Sequence, residues 1–355
     1  MKSRTKIPIL IPSSPTSGEL TKYLKMIDKN RRYSNFGPLY FELVHRLSKY
    51  FNVSDDNLVL LSNATLAIAG AINTAKVKDK RWLTPSWTFA ATPMGILQGG
   101  GVPKFVDINK EWRAEFKSKG NILDVLPFGD GPRESYEIFN RDFIVIDAAA
   151  SFDALKNIKL ENSRSIAIII SMHATKLISA GEGGIFLTND SEWAARVRTW
   201  SNFGFKTGSR TASGTGINAK MSEYNAAIGL ASMDGWSNTR KQLLDLTETV
   251  VQMSHSYGFG IIPSMSKRLV TPYWIIKFGT KEQKLNLSKE FMDRKIETRN
   301  WWESGCHQMP AFQKFQRENL VKTLEAYETS IGLPFHLFLS TKDLNRIEHA
   351  LKNSV

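Results

Sequence analysis

Three short stretches set reactive or ligand-holding groups at the ends of apolar runs. In the first, Ser171-Met172-His173-Ala174-Thr175-Lys176 follows Ile166-Ala167-Ile168-Ile169-Ile170 and precedes Gly181-Glu182-Gly183-Gly184. Burial of a lysine among small residues favours its neutral amine, a nucleophile toward carbonyl carbon; the plain alternative is a solvated loop lysine. In the second, Asp147 closes Phe143-Ile144-Val145-Ile146 and is followed by Ala148-Ala149-Ala150. A carboxylate at the end of a buried strand needs a cation or several donors, unless it serves as an ordinary cap for a following helix. In the third, Ser62-Asn63-Ala64-Thr65 stands between Val59-Leu60-Leu61 and an Ala-rich stretch. The unpaired backbone N–H groups and hydroxyl of such a helix start can hold a phosphate, and Ser and Asn there are also common caps.

None of the three is specific alone. Together they supply an amine for a Schiff base, a carboxylate for a pyridinium nitrogen and a phosphate seat, the set that pyridoxal 5'-phosphate (PLP) requires. Ligands of open α/β sheets bind outside the carboxyl ends of the strands, so the elements must bring these ends together. Seven runs read as strands: Val59-Leu60-Leu61, Trp82-Leu83, Phe105-Val106, Val125-Leu126, Phe143 to Ile146, Ile166 to Ile170 and Ile185-Phe186-Leu187. Ala64 to Ala75 and Glu192 to Trp200 read as crossover helices, 207 to 220 as an irregular loop rich in Gly, Ser and Thr, and Met221 to Met233 as helix. After about residue 240 the chain turns to Lys/Glu/Leu-rich helices and strands such as Tyr273 to Phe278. The expected architecture is α/β: a large domain over 1–240 with a mostly parallel seven-stranded sheet, and a smaller α+β domain over 241–355.

Composition narrows the class. The 355 residues are 42% hydrophobic and 23% charged, enough apolar surface for a sizeable core and too much for a disordered chain. One cysteine, Cys306, excludes an internal disulfide and a multi-cysteine zinc site, and suits a reducing compartment. The apolar run Pro8 to Pro12 is shorter than a signal-peptide core and no stretch is long enough to span a membrane, so a cytoplasmic protein with no membrane partner is expected. A net charge of +13 favours anionic ligands, yet the basic residues are scattered, which points to a phosphorylated small molecule and not to nucleic acid.

The same residues resemble a known family. His173-Ala174-Thr175-Lys176 with Glu182-Gly183-Gly184 and Asp147-Ala148-Ala149 looks like the DegT-type nucleotide-sugar aminotransferases, which share the fold-type-I architecture of aspartate aminotransferase. Thr84-Pro85-Ser86-Trp87-Thr88-Phe89-Ala90-Ala91-Thr92 resembles the family's SFTFVATAN block, and Asn218-Ala219-Lys220-Met221-Ser222-Glu223 its NYRMSE block. The similarity is strong over about 35 to 235 and loose beyond.

The resemblance implies a catalytic Lys176 carrying the cofactor covalently, with Asp147 at the pyridinium nitrogen and Phe89 stacked on the ring. It implies a phosphate held by Ala64 and Thr65 with Ser171, beside Asn63, and Asn218 reaching the cofactor of a neighbouring subunit, hence a homodimer with shared sites. Two positions depart: Ala150 replaces a polar cofactor neighbour, and Lys220 replaces an arginine, which keeps the charge and loses the bidentate fork. Lys220, His307 and His336 are the implied substrate contacts, with Arg32, Lys206 and Arg210 as further candidates for an anionic nucleotide. Trp301 and Trp302 read equally as core or as a sugar-stacking surface. The implied reaction moves an amino group from glutamate to a keto group of a nucleotide-linked deoxy sugar, by preference dTDP-4-keto-6-deoxyglucose, for a surface glycan such as O-antigen or an antibiotic. Alternatives are a 3-keto-sugar aminotransferase, a PLP-dependent sugar dehydratase, whose relatives carry His where this chain has Lys176, and a regulator or nucleic-acid binder that kept the fold.

Overall fold

The computed structural model describes residues 6–136, 143–160 and 164–354. Seven strands form the main sheet: β1 Leu58–Leu61, β2 Arg81–Pro85, β3 Val102–Val106, β4 Asn121–Val125, β5 Phe143–Asp147, β6 Ser165–Ser171 and β7 Gly184–Thr188. Their spatial order is β1-β7-β6-β5-β4-β2-β3, with β7 antiparallel to both its neighbours and the other pairs parallel. This is the mostly parallel seven-stranded α/β sheet that the sequence predicts.

Strand alternation explains why both faces are covered. In β6, Ile166, Ile168 and Ile170 face a core shared with Leu43 and Leu47 of α2 (Pro38–Phe51) and Ala226 and Leu230 of a long helix over Glu223–Ser256. Ala167 and Ile169 face the opposite core with Ile68 and Ile72 of α3 (Ala64–Thr74) and Trp193 and Val197 of α5 (Ser191–Trp200). A sheet buried on both sides reads as an unbroken apolar run, as β6 does. Around it lie α1 (Ser17–Asn30) and α4 (Ala91–Gln98), and the 34-residue helix is α6. Each of α1, α3, α5 and α6 starts on a Thr, Asn, Asp or Ser whose side chain accepts a first-turn N–H: Thr16, Asn63, Asp190 and Ser222.

A second, three-stranded antiparallel sheet has the order β10 (Ser330–Leu333), β9 (Trp274–Lys277), β8 (Gly260–Ile261). It is joined by α7 (Pro263–Ser266), α8 (Lys281–Asp293), α9 (Val321–Glu328) and α10 (Thr341–Lys352). The proposed division at 240/241 falls inside α6, which runs unbroken from one sheet to the other. The N-terminal segment also joins the second unit, since Ile7 bridges Ile296 and the Ile9 N–H donates to Glu297. Among the described residues no helix is long and apolar enough to cross a membrane.

Two glycines show how tightly the sheet edge is fitted. A Cβ on Gly184, the first residue of β7, would lie 2.5 Å from the carbonyl carbon and oxygen of Asn63 and 2.6 Å from the Ala64 nitrogen. One on Gly183 would lie 2.7 Å from Met221 Cε. The Gly-Gly pair therefore lets β7 pass directly against the start of α3. Overpacking of this kind costs about 1–3 kcal/mol, and here the obstacle is backbone that cannot swing away. Gly184→Ala is expected to lower stability by that amount, read as a shift of the urea midpoint at unchanged slope; an unchanged midpoint would show that the α3 start is not seated by this contact.

Candidate active site

The site is assembled where β5 and β6 end. Asp147, the last residue of β5, is 7% exposed. Its Oδ1 accepts the Ala149 N–H at 3.1 Å and its Oδ2 accepts the Thr92 hydroxyl at 2.6 Å, while the Thr88 hydroxyl lies 2.6 Å from that of Thr92. Burial pushes the Asp147 carboxyl above its usual range, against the opposing pull of the Thr92 hydroxyl, the Ala149 N–H and the charge of Lys176. Two donors serve an anion that offers about four acceptor positions, so the carboxylate is short of partners.

The loop from β6 to β7 carries Lys176. Met172 donates its N–H to Gly183 and accepts that of Ala180, and the Ala174 N–H donates to Gly181, so the loop closes on itself. Gly181 holds φ +72° at the turn. At its outer end the Lys176 N–H donates to the His173 carbonyl, and Lys176 Nζ donates to Tyr273 Oη at 2.6 Å. His173 Nδ1 lies 2.8 Å from Thr175 Oγ1, and its Nε2 lies 3.7 Å from Glu182.

Opposite stands the start of α3. Asn63 Oδ1 accepts the Leu66 N–H as a cap. Helix geometry leaves the N–H groups of Ala64 and Thr65 without an intrahelical acceptor, and the helix dipole adds partial positive charge there. The sequence left cap and phosphate seat as alternatives; Asn63 performs the first and leaves its neighbours' donors free for the second.

A cavity of about 740 Å³ joins these parts. Asn63, Ala64, Thr65, Phe89, Asp147, Ala150, Ser171 and Lys176, all singled out from the sequence, line it together. Its far wall is aromatic: Phe128 and Trp302 stack at 4.3 Å and 9°, and Trp301 meets Tyr273 edge-on at 4.8 Å. Phe128 and Trp302 hold φ of +54° and +50°, a conformation that costs bulky residues about 1–3 kcal/mol and persists only where surroundings enforce it. At Phe128 the enforcing groups are the hydroxyls of Thr271 and Ser264, both donating to its carbonyl.

The implied substrate contacts lie elsewhere. His307 is buried behind the cavity, with Nδ1 2.7 Å from Ser86 Oγ and its backbone N–H donating to the same oxygen. The turn that places it there needs Gly305, at φ +97° and with no room for a Cβ beside Ser86 and Thr323. His336 is buried with Nε2 3.3 Å from the Pro8 carbonyl, and it lines a separate small recess that touches Lys176 from behind. Asn218 is exposed and accepts from Lys220 Nζ at 2.7 Å, the ammonium sitting 4.5 Å from the Phe203 ring centroid. Arg32, Lys206 and Arg210 are exposed and do not line the cavity. Sequence reading missed Thr92 and Tyr273. Thr92 stood inside the quoted SFTFVATAN-like block and could have been found by asking what donates to a buried carboxylate.

PLP fits these residues on structural grounds. A buried carboxylate with one donor on each oxygen, a lysine amine, free first-turn N–H groups and an exposed Phe89 border one space of suitable size. The sequence profile of the DegT/DnrJ/EryC1/StrS aminotransferase family matches residues 16–115 and 142–352, so the chain belongs to that family and is a PLP-dependent aminotransferase. Protein Rv3402c of Mycobacterium tuberculosis H37Rv is 26% identical over 378 aligned positions, covering 98% of this chain and 90% of that one. A dTDP-4-amino-4,6-dideoxy-D-glucose transaminase of Escherichia coli is 32% identical over 242, covering 64% of each chain. A crystal structure from Bacillus cereus ATCC 10987, assigned to the PLP-dependent aminotransferases, superposes with a TM-score of 0.85 at 27% identity, covering 98% of this chain and all of the other.

The raised Asp147 pKa makes a signed prediction. A group whose folded pKa lies above its unfolded value adds stability at low pH and loses it as pH rises through the folded value. In the cofactor-free protein Asp147→Asn should therefore melt at or above wild type at pH 8, with the gap closing as pH falls into the ordinary carboxylate range, while PLP affinity falls at least tenfold. Wild-type PLP affinity in the variant would remove Asp147 from the cofactor site.

Proposed function

We propose that this aminotransferase takes the amino group of glutamate and delivers it to the C4 keto group of a dTDP-linked 6-deoxy sugar, dTDP-4-keto-6-deoxyglucose. The observation that carries the reading is that Lys176 Nζ and the buried Asp147 carboxylate border one roomy, aromatic-walled cavity. The name of the Escherichia coli relative supports the sugar and its position.

PLP, when bound, would supply an electron-withdrawing pyridinium as the electron sink for chemistry at the substrate Cα. Asp147 keeps the ring nitrogen protonated by a charge-assisted hydrogen bond, worth about 1.5–3 kcal/mol or one to two powers of ten in rate if fully expressed. Thr92 and Ala149 orient that carboxylate. Ala64, Thr65 and Ser171 hold the phosphate, and Phe89 covers one face of the ring. Lys176 Nζ would carry the proton to and from the substrate carbon as general base and then general acid. The stacked Phe128–Trp302 pair and Trp301 offer apolar faces to a sugar ring.

The reading includes a homodimer. Asn218 and Lys220 lie outside the cavity of their own chain, Lys220 sits over the exposed Phe203 ring, and exposed Tyr224 stacks on exposed Tyr33, which supports an apolar interface there. Asn218 then reaches the phosphate of the partner's cofactor.

Assay of the PLP-loaded protein with glutamate and a panel of dTDP-, UDP- and GDP-linked 3-keto and 4-keto sugars tests this directly. The expected result is amination of the dTDP-4-keto sugar, abolished by Lys176→Ala. Preference for a 3-keto sugar, for another nucleotide, or for water elimination would overturn the substrate assignment. Light scattering of the eluting protein should give twice the 40.0 kDa chain mass.

A further inference from the structure

The second sheet sends one polar group into the catalytic centre. Tyr273 immediately precedes β9, the central strand of that sheet, and its hydroxyl receives Lys176 Nζ at 2.6 Å across 97 residues of sequence. The ammonium lies 5.2 Å from the ring centroid, as an end-on approach to the hydroxyl requires, so the contact is the hydrogen bond and not the ring face.

The placement of Tyr273 is overdetermined. Two residues before it, Thr271 donates to the Phe128 carbonyl at 2.5 Å. One residue earlier, the Val270 N–H donates to Asp153 Oδ2, and Asp153 is in turn held by Arg240 at 2.6 Å. The ring itself is gripped edge-on by Phe128 at 5.7 Å and Trp301 at 4.8 Å. A phenol fixed this firmly, with its oxygen on the nitrogen that must move a proton, restricts where that nitrogen can go.

We infer that Tyr273 is a positioning residue for Lys176, its hydroxyl holding the ε-amine toward the cofactor and the substrate carbon. The inference rests on the proposed use of Lys176 as proton carrier. A lysine side chain has considerable rotamer freedom to lose, and a partner that removes part of it beforehand accelerates each step in which the amine attacks or carries a proton.

The test compares wild type, Tyr273→Phe and Tyr273→Leu. The apoproteins are mixed with PLP and the growth of cofactor absorbance is timed, and the loaded proteins then meet glutamate or 2-deuterioglutamate in single turnovers. Tyr273→Phe keeps the ring and loses only the hydroxyl. The expected result is cofactor uptake slowed about tenfold, a comparable fall in the glutamate step at unchanged glutamate affinity, and a larger deuterium effect, with Tyr273→Leu no slower in uptake than Tyr273→Phe. Wild-type uptake and deuterium effect in Tyr273→Phe, whether or not Tyr273→Leu is impaired, would show that the ring packs and the hydroxyl does nothing. Slow uptake in Tyr273→Phe beside a wild type that ignores glutamate would uphold Tyr273 and count against the glutamate reading alone.

Discussion

A buried carboxylate without a fixed cation governs the design of this molecule. Asp147 ends a strand buried on both faces, two donors reach it, and burial drives its carboxyl toward the neutral form. A cation brought from the cavity side would offset that cost, and a ligand that binds only the folded chain stabilises it by mass action. The sheet topology fixes the rest. Because β5 and β6 run parallel in register, with Asp147 opposite Ile169, the carboxylate and the lysine loop that follows Ser171 emerge at one edge. Because Gly184 lets β7 press against α3, the start of that helix, with its free N–H groups, arrives at the same edge.

Much of this was legible in residue order. Lys176, Asp147 and the Asn63-Ala64-Thr65 turn each follow a strand signalled by an apolar run, and the chemistry sits at strand ends where turn residues mark it. The fourth strand was placed late, at Val125-Leu126, because Asp124 interrupts Asn121–Val125 and reads as a break. In the fold Asp124 is fully buried, with Arg133 at 2.8 Å and Arg113 at 3.7 Å, an ion cluster that only the tertiary structure supplies. Likewise the change of texture near 240 reflects a helix whose two halves face different sheets. Lone histidines carried too little signal: His307 and His336 are buried against Ser86 and the Pro8 carbonyl. Tyr273 was invisible because nothing local marks a tyrosine that will meet a lysine 97 residues earlier.

The aromatic wall shows a different economy. Phe128 and Trp302 both occupy left-handed backbone conformations and stack on each other, so backbone strain is accepted where an aromatic pair lines the cavity. Thr271, which ties down the Phe128 carbonyl, lies two residues from Tyr273. One segment thus ties the wall at Phe128 and supplies the lysine partner Tyr273, and the second unit completes a site that the large sheet begins.

Lys176 is the proposed point where cofactor and protein are joined. Borohydride reduction of the PLP-loaded protein, followed by digestion and mass spectrometry, measures that directly. A pyridoxyl phosphate mass on the peptide containing Lys176, absent in Lys176→Ala, is the predicted result; a colourless protein with no adduct, or an adduct on another lysine, would contradict it.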